Sequence, residues 1–326
     1  MHFLKSLLAG ASVALSMLPL HAIAQSQAWD LPSAYSPSNF HTVNLEKFAH
    51  GVKVATGGKL AINVHSGASL YKATEIKRAV QTGQVPVGEI LMTLLSNENP
   101  VFGVDGVPFL ADSYEAARKL AAVQRSSVEK LLDAQGLKLL FWVPWPPQGL
   151  IALKEVNSAA DMVGLSFRTY DKHTTRLGEL VRARPVTIQA AEVTQALATG
   201  KINSLMSSAQ SATDYKAWES LKYFYDVQAW LPKNMVIVNR AAFSALDNAT
   251  QSALVAEAMK AEEAGWLASQ QTAEATKKIL ASNGMKVLRP SDQLNADLGK
   301  VGKQMLDEWL ASANPDGKAI VTAFRK

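Results

Sequence analysis

The feature that most constrains this chain is a proline cluster near its middle. Residues 142–148 read Trp-Val-Pro-Trp-Pro-Pro-Gln. Proline fixes φ and has no N–H, so three prolines this close cannot lie in a central strand or a helix interior. The segment reads as a crossover between two folded units.

Before the cluster, strand and helix patterns alternate. Ala28–Tyr35 reads as a strand entering the turn-like Ser36-Pro37-Ser38-Asn39. Asn39 can cap a helix with Phe40, Val43, Phe48 and Val52 on its apolar face, ended by Thr56-Gly57-Gly58. Leu60, Ile62 and Val64 alternate as in a strand. A helix over Ala73–Gln81 closes at Gly83, and a strand follows at Val85–Leu91. Asp112 or Ser113 caps one helix and Ser126 or Ser127 the next, before a strand at Leu137–Val143. Such alternation predicts an α/β sheet with helices on its faces.

After the cluster the alternation resumes. Strands are expected at Gly149–Leu153, Leu165–Thr169 and Pro185–Gln189, with helices at His173–Val181 and Ala190–Thr199. Met235–Asn239 reads as a strand returning to the first unit. A helical pattern then runs from Asn248 to Asn283 with Gly265 inside it, either one helix spanning both units or two broken near the glycine. Val287–Leu288 suggests an edge strand and Asp297–Ala311 a last helix. The expected division is 25–145 with 235–265 for the first lobe, and 146–234 for the second, with 266–326 packing mainly on the second.

The N-terminus has the three parts of a secretory signal peptide. Lys5 gives the positive region, Leu7–Leu20 the apolar stretch, and Ala22-Ile23-Ala24 the small residues of a cleavage site. The expected signal peptide is 1–24, cut near Ala24, with a soluble mature chain. The 326 residues suffice for two lobes, and 48% apolar against 19% charged residues reads as globular. The chain has no cysteine, which excludes thiolate metal sites and cysteine nucleophiles. Its net charge of +5 is scattered rather than blocked, so no nucleic-acid stripe is read.

Motifs for catalysis are missing. The histidines show no metal-ligand spacing, and Gly57-Gly58-Lys59 is not a phosphate loop. There is no Gly-x-Ser-x-Gly elbow and no Gly-x-Gly-x-x-Gly after a strand. Glu262-Glu263 reads as a solvated helical face. The expectation is a binding protein, not an enzyme, with no metal and no cofactor.

Several segments in order resemble a known family. They include Asn39-Phe40-His41, Thr56-Gly57-Gly58-Lys59-Leu60, Ala79-Val80-Gln81-Thr82-Gly83 and Val107-Pro108-Phe109-Leu110. Ala160 through Arg168, Pro185-Val186 and Glu192 through Gly200 continue the series. The chain resembles the solute-binding protein of a tripartite ATP-independent periplasmic (TRAP) transporter, of the DctP type. The resemblance implies the α/β, two-lobed, type II-like periplasmic binding protein fold, with crossover strands and a long helix. It implies a periplasmic receptor that closes on a small carboxylate and passes it to a small and a large integral membrane subunit. Delivery to an ATP-driven transporter or a sensor, and a secreted enzyme acting on an acid, are the alternatives.

The resemblance also places an arginine that grips the ligand carboxylate at Arg168. A guanidinium offers a planar, bidentate grip and does not deprotonate. Ser207, with Ser208 beside it, stands where many members have asparagine. Gln148 stands where a sialic-acid-binding member carries a second arginine, which puts sialic acid in doubt. Trp142, Trp145, Tyr170, Tyr215, Trp218, Tyr35 and Tyr71 give the cleft an aromatic cast, which favours an aromatic or hydrophobic monocarboxylate. Glu89 is expected either to bond a ligand hydroxyl or to sit in a surface ion pair, and Lys72 to add charge to the cleft or to be solvated.

Overall fold

The computed structural model describes residues 26–326, so the signal-peptide reading lies outside the described residues. The first lobe starts with β1 (Gln27–Pro32), which turns Trp29 and Leu31 inward. Helix α1 (Phe40–Ala55) starts at Asn39, whose Oδ1 accepts from the His41 N–H at 2.8 Å. It buries Phe40, Leu45, Phe48 and Val52, whereas Val43 faces solvent, contrary to expectation. Strand β2 (Leu60–His65) pairs in parallel with β1. Then come α2 (Ile76–Gln81) and β3 (Val87–Leu91). Helix α3 (Tyr114–Asp133) runs unbroken past Ser126 and Ser127. Its buried stripe of Leu120, Gln124, Val128 and Leu132 continues across both serines, so no new cap is needed there.

Strand β4 (Leu137–Pro144) enters the proline cluster, with Pro144 as its last residue. Pro146 and Pro147 form the crossover, and β5 (Gln148–Ala152) opens the second lobe. There follow β6 (Ser166–Thr169), α4 (Lys172–Leu180) and β7 (Arg184–Thr187). Helix α5 (Val193–Ala198) is shorter than expected, because residues 190–192 form a separate tight turn. Strand β8 (Ser204–Ser208), α6 (Ala209–Asp214) and β9 (Tyr223–Tyr225) complete the stretch. Strand β10 (Lys233–Asn239) then returns between β3 and β4, antiparallel to both. The two crossovers hold one another: the Trp145 N–H donates to Pro232 O at 2.8 Å and the Gln148 N–H to Trp230 O at 2.9 Å.

After α7 (Arg240–Ser244), helix α8 (Asn248–Ser282) runs for 35 residues without a break. Leu254, Ala258 and Ala261 pack on the α1 side of the first lobe, and Leu280 packs with Ile151 and Leu205 of the second. Gly265 marks a close approach: a Cβ there would lie 2.3 Å from a Val143 methyl. Strand β11 (Lys286–Leu288) joins the edge of a six-stranded sheet ordered β11-β9-β5-β8-β6-β7.

Helix α9 (Asp292–Ser312) begins earlier than expected, and α10 (Pro315–Phe324) has no counterpart in the sequence reading. The C-terminal region also packs differently from the expectation for 266–326. Leu294, Leu298 and Met305 join the second-lobe core, but Trp266, Trp309, Ile320 and Val321 complete the first-lobe core around Phe102 and Leu120. Each large apolar side chain so buried contributes about 1.5–3 kcal/mol, which favours α10 lying on the first lobe rather than in water.

Candidate ligand-binding site

Strand β6 lies between β7 and β8, parallel to both, and brings Arg168 to the face between the lobes. Arg168 is only 3% exposed. Its Nε–H donates to Ile188 O at 2.9 Å, which fixes the guanidinium and leaves its terminal nitrogens for a ligand. Its Cζ lies 4.6 Å over the Tyr170 ring. None of the ion pairs among the described residues includes Arg168. A buried cation without a carboxylate carries a desolvation penalty of several kcal/mol that a bound anion relieves.

The guanidinium faces a small cavity of about 40 Å³. Tyr35 and Trp145 line it from the first-lobe side, and Gln148, Tyr170, Ser207 and Tyr215 from the crossover and second lobe. By the roughly 10–15 Å³ that one water needs, this is room for a few water positions. Residues that sequence reasoning missed are Ala73, Leu91, Leu94, Gln189, Ala190, Ser211 and Pro232. None carries a motif; Leu91 and Gln189 end the expected strands Val85–Leu91 and Pro185–Gln189, and Ala73 and Ala190 begin expected helices.

The polar side chains differ in how they are held. Tyr170 lines the cavity beside the Arg168 guanidinium, with a hydroxyl that can donate or accept. The Gln148 amide donates one hydrogen to Pro146 O at 2.8 Å. Burial pushes the phenols of Tyr35, Tyr170 and Tyr215 up, so all three are neutral hydrogen-bonding groups.

Three expected residues lie outside the cavity. Ser208 caps α6, accepting from the Ser211 N–H at 3.1 Å, and its hydroxyl meets that of Ser211, a cavity-lining residue. It supports the wall from behind. Tyr71 packs beside the first-lobe core and donates to Gln84 Oε1 at 3.2 Å, because its loop runs along the outer side of α2. Glu89 is neither a cavity group nor a surface ion pair: although β3 is the edge strand of its sheet, the carboxylate is 2% exposed. It accepts from Ser33 Oγ at 2.6 Å and from Asn234 Nδ2 at 3.1 Å. Burial pushes it up to about 7, against the lowering effect of those two bonds. Burial also holds His41, whose Nδ1 lies 3.4 Å from Glu89, well below its ordinary value. Trp142 and Trp218, and Lys72 in its loop, are also absent from the cavity wall; Trp142 is buried in the first-lobe core.

The lobes meet around the cavity. Asn39 Nδ2 donates to Asp214 Oδ2 at 2.6 Å, and Lys172 Nζ to Ser96 O at 2.9 Å. His173 seats against Gly103, where a Cβ would lie 2.5 Å from its ring. Among the described residues no group of three or more His, Cys, Asp or Glu is placed to hold a metal, and no helix is long and apolar enough to cross a membrane.

Two α/β lobes closed over a buried arginine define a receptor for a small anion. A family model for bacterial extracellular solute-binding proteins, family 7 (DctP), matches residues 33–312, and the chain belongs to that family. The family consists of extracytoplasmic receptors for solutes. DctP6 of Bordetella pertussis, an extracytoplasmic solute receptor binding pyroglutamic acid, is 50% identical with a TM-score of 0.90 over 92% of this chain and 99% of its own. A TRAP solute-binding protein from an unidentified marine microbe, specific for pyroglutamate, is 43% identical with a TM-score of 0.90 over 92% and 99%. The 2,3-diketo-L-gulonate-binding periplasmic protein YiaO of Escherichia coli is 24% identical over 88% of each chain.

Proposed function

We propose that this chain is the periplasmic receptor of a TRAP transporter and that its ligand is a compact cyclic monocarboxylate of the pyroglutamate kind. The observation that carries the reading is Arg168, buried without an acidic partner and facing a cavity of about 40 Å³. One guanidinium matches one carboxylate. The small volume and the polar groups around it favour a compact polar ring over the larger aromatic acid expected from the tyrosines and tryptophans. The two relatives at 50% and 43% identity, both with pyroglutamate, support the same choice.

In this reading Arg168 grips the carboxylate from one side while Tyr35, Trp145, Gln148, Tyr170, Ser207 and Tyr215 enclose the ring. The lobes, 25–145 with 235–265 and 146–234, close on it by a hinge movement. The signal peptide is removed near Ala24. The receptor then hands its ligand to the small and large membrane subunits and catalyses no step.

The test is thermal unfolding of the mature chain with L-pyroglutamate, with Arg168→Ala in parallel. A ligand that binds only the folded state adds about 2.7 kcal/mol at a hundredfold excess over its Kd. The wild type is expected to shift upward and Arg168→Ala not at all, since losing a desolvated charge partner costs about 2–5 kcal/mol of binding. An equal shift in both proteins would remove Arg168 from the site. A shift with aromatic acids but none with pyroglutamate would refute the compact ligand.

A further inference from the structure

The hydrogen-bond chain behind the cavity fixes the polarity of one cavity group. Trp145 Nε1–H can only donate, and it donates to Asn234 Oδ1 at 2.9 Å. That contact settles which end of the Asn234 amide is oxygen. The opposite end, Nδ2, then donates to Glu89 Oε1 at 3.1 Å, and Glu89 is held in turn by Ser33. The Tyr35 hydroxyl donates its single hydrogen to the same Asn234 oxygen at 3.3 Å. With that hydrogen committed, the Tyr35 oxygen offers the cavity lone pairs only.

The other groups around the ligand differ. Arg168 presents N–H donors. The Tyr170 hydroxyl donates to no group among the described residues, so it can still donate or accept toward a ligand. Gln148 keeps both its carbonyl oxygen and a second amide hydrogen after bonding Pro146. Tyr35 therefore stands out as a group fixed as acceptor. Tyr35 lines the same small cavity as Arg168 and Tyr215, within reach of a group one bond from a carboxylate held by Arg168.

We propose that Tyr35 is the specificity-determining acceptor of the site, taking a hydrogen bond from a ligand N–H attached to the carbon that bears the carboxylate. Asn234 is the positioning residue that enforces this polarity, and Glu89 holds Asn234. The inference rests on the proposed ligand class and deepens it: the receptor selects an α-N–H acid, such as a lactam or another α-amido acid, against its oxygen isostere. In pyroglutamate the ring nitrogen is one bond from the carboxylate-bearing carbon, so Arg168 and Tyr35 address adjacent groups of one molecule. A lactone of the same shape would set a ring oxygen against the lone pairs of Tyr35.

Isothermal titration of the mature chain with L-pyroglutamate and with 5-oxotetrahydrofuran-2-carboxylate, its lactone isostere, reads this directly. The wild type is expected to prefer the lactam by about ten- to a hundredfold, the range for leaving a buried polar group unpaired. Tyr35→Phe removes the acceptor and should bring the ratio toward one, mainly by weakening the lactam. Asn234→Leu keeps Tyr35 but frees its hydrogen, and should bring the ratio toward one by strengthening the lactone. Equal wild-type affinity for the two acids overturns the inference and leaves the pyroglutamate reading standing, whatever the variants do. A lactam preference that survives Tyr35→Phe in full also overturns it. Binding of neither acid overturns the ligand reading and the inference together.

Discussion

On the first-lobe side of the cleft, buried charges are matched within the protein. Lys233, fully buried, pairs with Asp105 at 2.9 Å, and the same carboxylate oxygen accepts from the Lys233 backbone N–H. Glu89 is held by Ser33 and Asn234. On the second-lobe side, Arg168 is equally buried, yet its bond inside the protein goes to a backbone carbonyl. The first-lobe side pairs its buried lysine before any ligand arrives, whereas in the function proposed above the second-lobe arginine is paired by the ligand. A receptor gains from this asymmetry. The matched wall holds its shape, and the unmatched cation supplies a binding free energy that the protein does not satisfy itself.

The comparison is sharpened most by removing charges one at a time from each wall. Asp105→Ala strands Lys233 in the core and should destabilise the unliganded protein by about 3–5 kcal/mol, the usual cost of breaking a buried pair. Arg168→Met strands no charge and leaves only the Ile188 carbonyl without its donor, so it should cost the unliganded protein much less than Asp105→Ala, although it abolishes binding. Urea or thermal unfolding without ligand measures both. Equal losses in the two variants would mean that Arg168 has an internal partner and that the asymmetry is wrong.

The asymmetry is only half legible in the sequence. Arg168 can be located because it follows Ala160-Asp161-Met162-Val163-Gly164 in a segment with a family resemblance. Gln148, Ser207 and the aromatic positions 35, 145, 170 and 215 lie next to such segments or to the proline cluster, and all line the cavity. The matching groups cannot be read. Glu89 and Asn234 are 145 residues apart, and Asn39 and Asp214 are 175 apart. A lone Glu in an apolar strand carries no sign of which partner the fold will bring to it. Gly265 reads as a possible helix break because a glycine gives the same signal for a break and for a close approach, and only the Val143 contact decides. Helix α10 escapes the sequence reading despite a start signal: Asn314 accepts from the Gly317 N–H at 2.8 Å, with Pro315 in the first turn.

The next largest effect concerns Glu89. Its folded value, about 7, lies above that of an unfolded glutamate, so the folded protein binds more protons between about pH 4.5 and 7. Stability from this group is fully present below that window and falls as pH rises through it, by about 3 kcal/mol at one pKa unit per 1.36 kcal/mol. His41 acts in the opposite direction, because its lowered value makes the folded protein release a proton on burial. Because His41 touches Glu89, the comparison of wild type with Glu89→Gln is made in a His41→Ala background, which removes the histidine's titration from both. The Glu89→Gln variant should therefore gain on the Glu89 protein as pH rises from about 4.5 to 7, and the gap should be flat below and above that window. A gap that does not change with pH would mean that Glu89 is not perturbed and that the first wall is less completely matched than the geometry indicates.

The smallest predicted effect lies where the two walls touch. Asp214 sits in the second lobe, yet its partner Asn39 belongs to the first, and Gln210 adds a second bond at 2.6 Å. Burial pushes Asp214 up to about 6, with the Asn39 and Gln210 bonds opposing. Opening the cleft would separate Asn39 from Asp214 without unfolding either lobe, so their bond belongs to the closed form rather than to either core. Asp214→Ala should therefore lower ligand affinity by about 1.5–3 kcal/mol, the scale of a hydrogen bond to a charged group, and leave the unfolding of the open protein little changed. Titration with L-pyroglutamate, together with scattering from the liganded variant, separates the two effects. A variant that loses stability but not affinity would assign Asp214 to the α6 end of the second lobe. A variant that loses affinity alone would make the Asn39–Asp214 bond a third kind of buried charge, completed neither by its own lobe nor by the ligand but by closure itself.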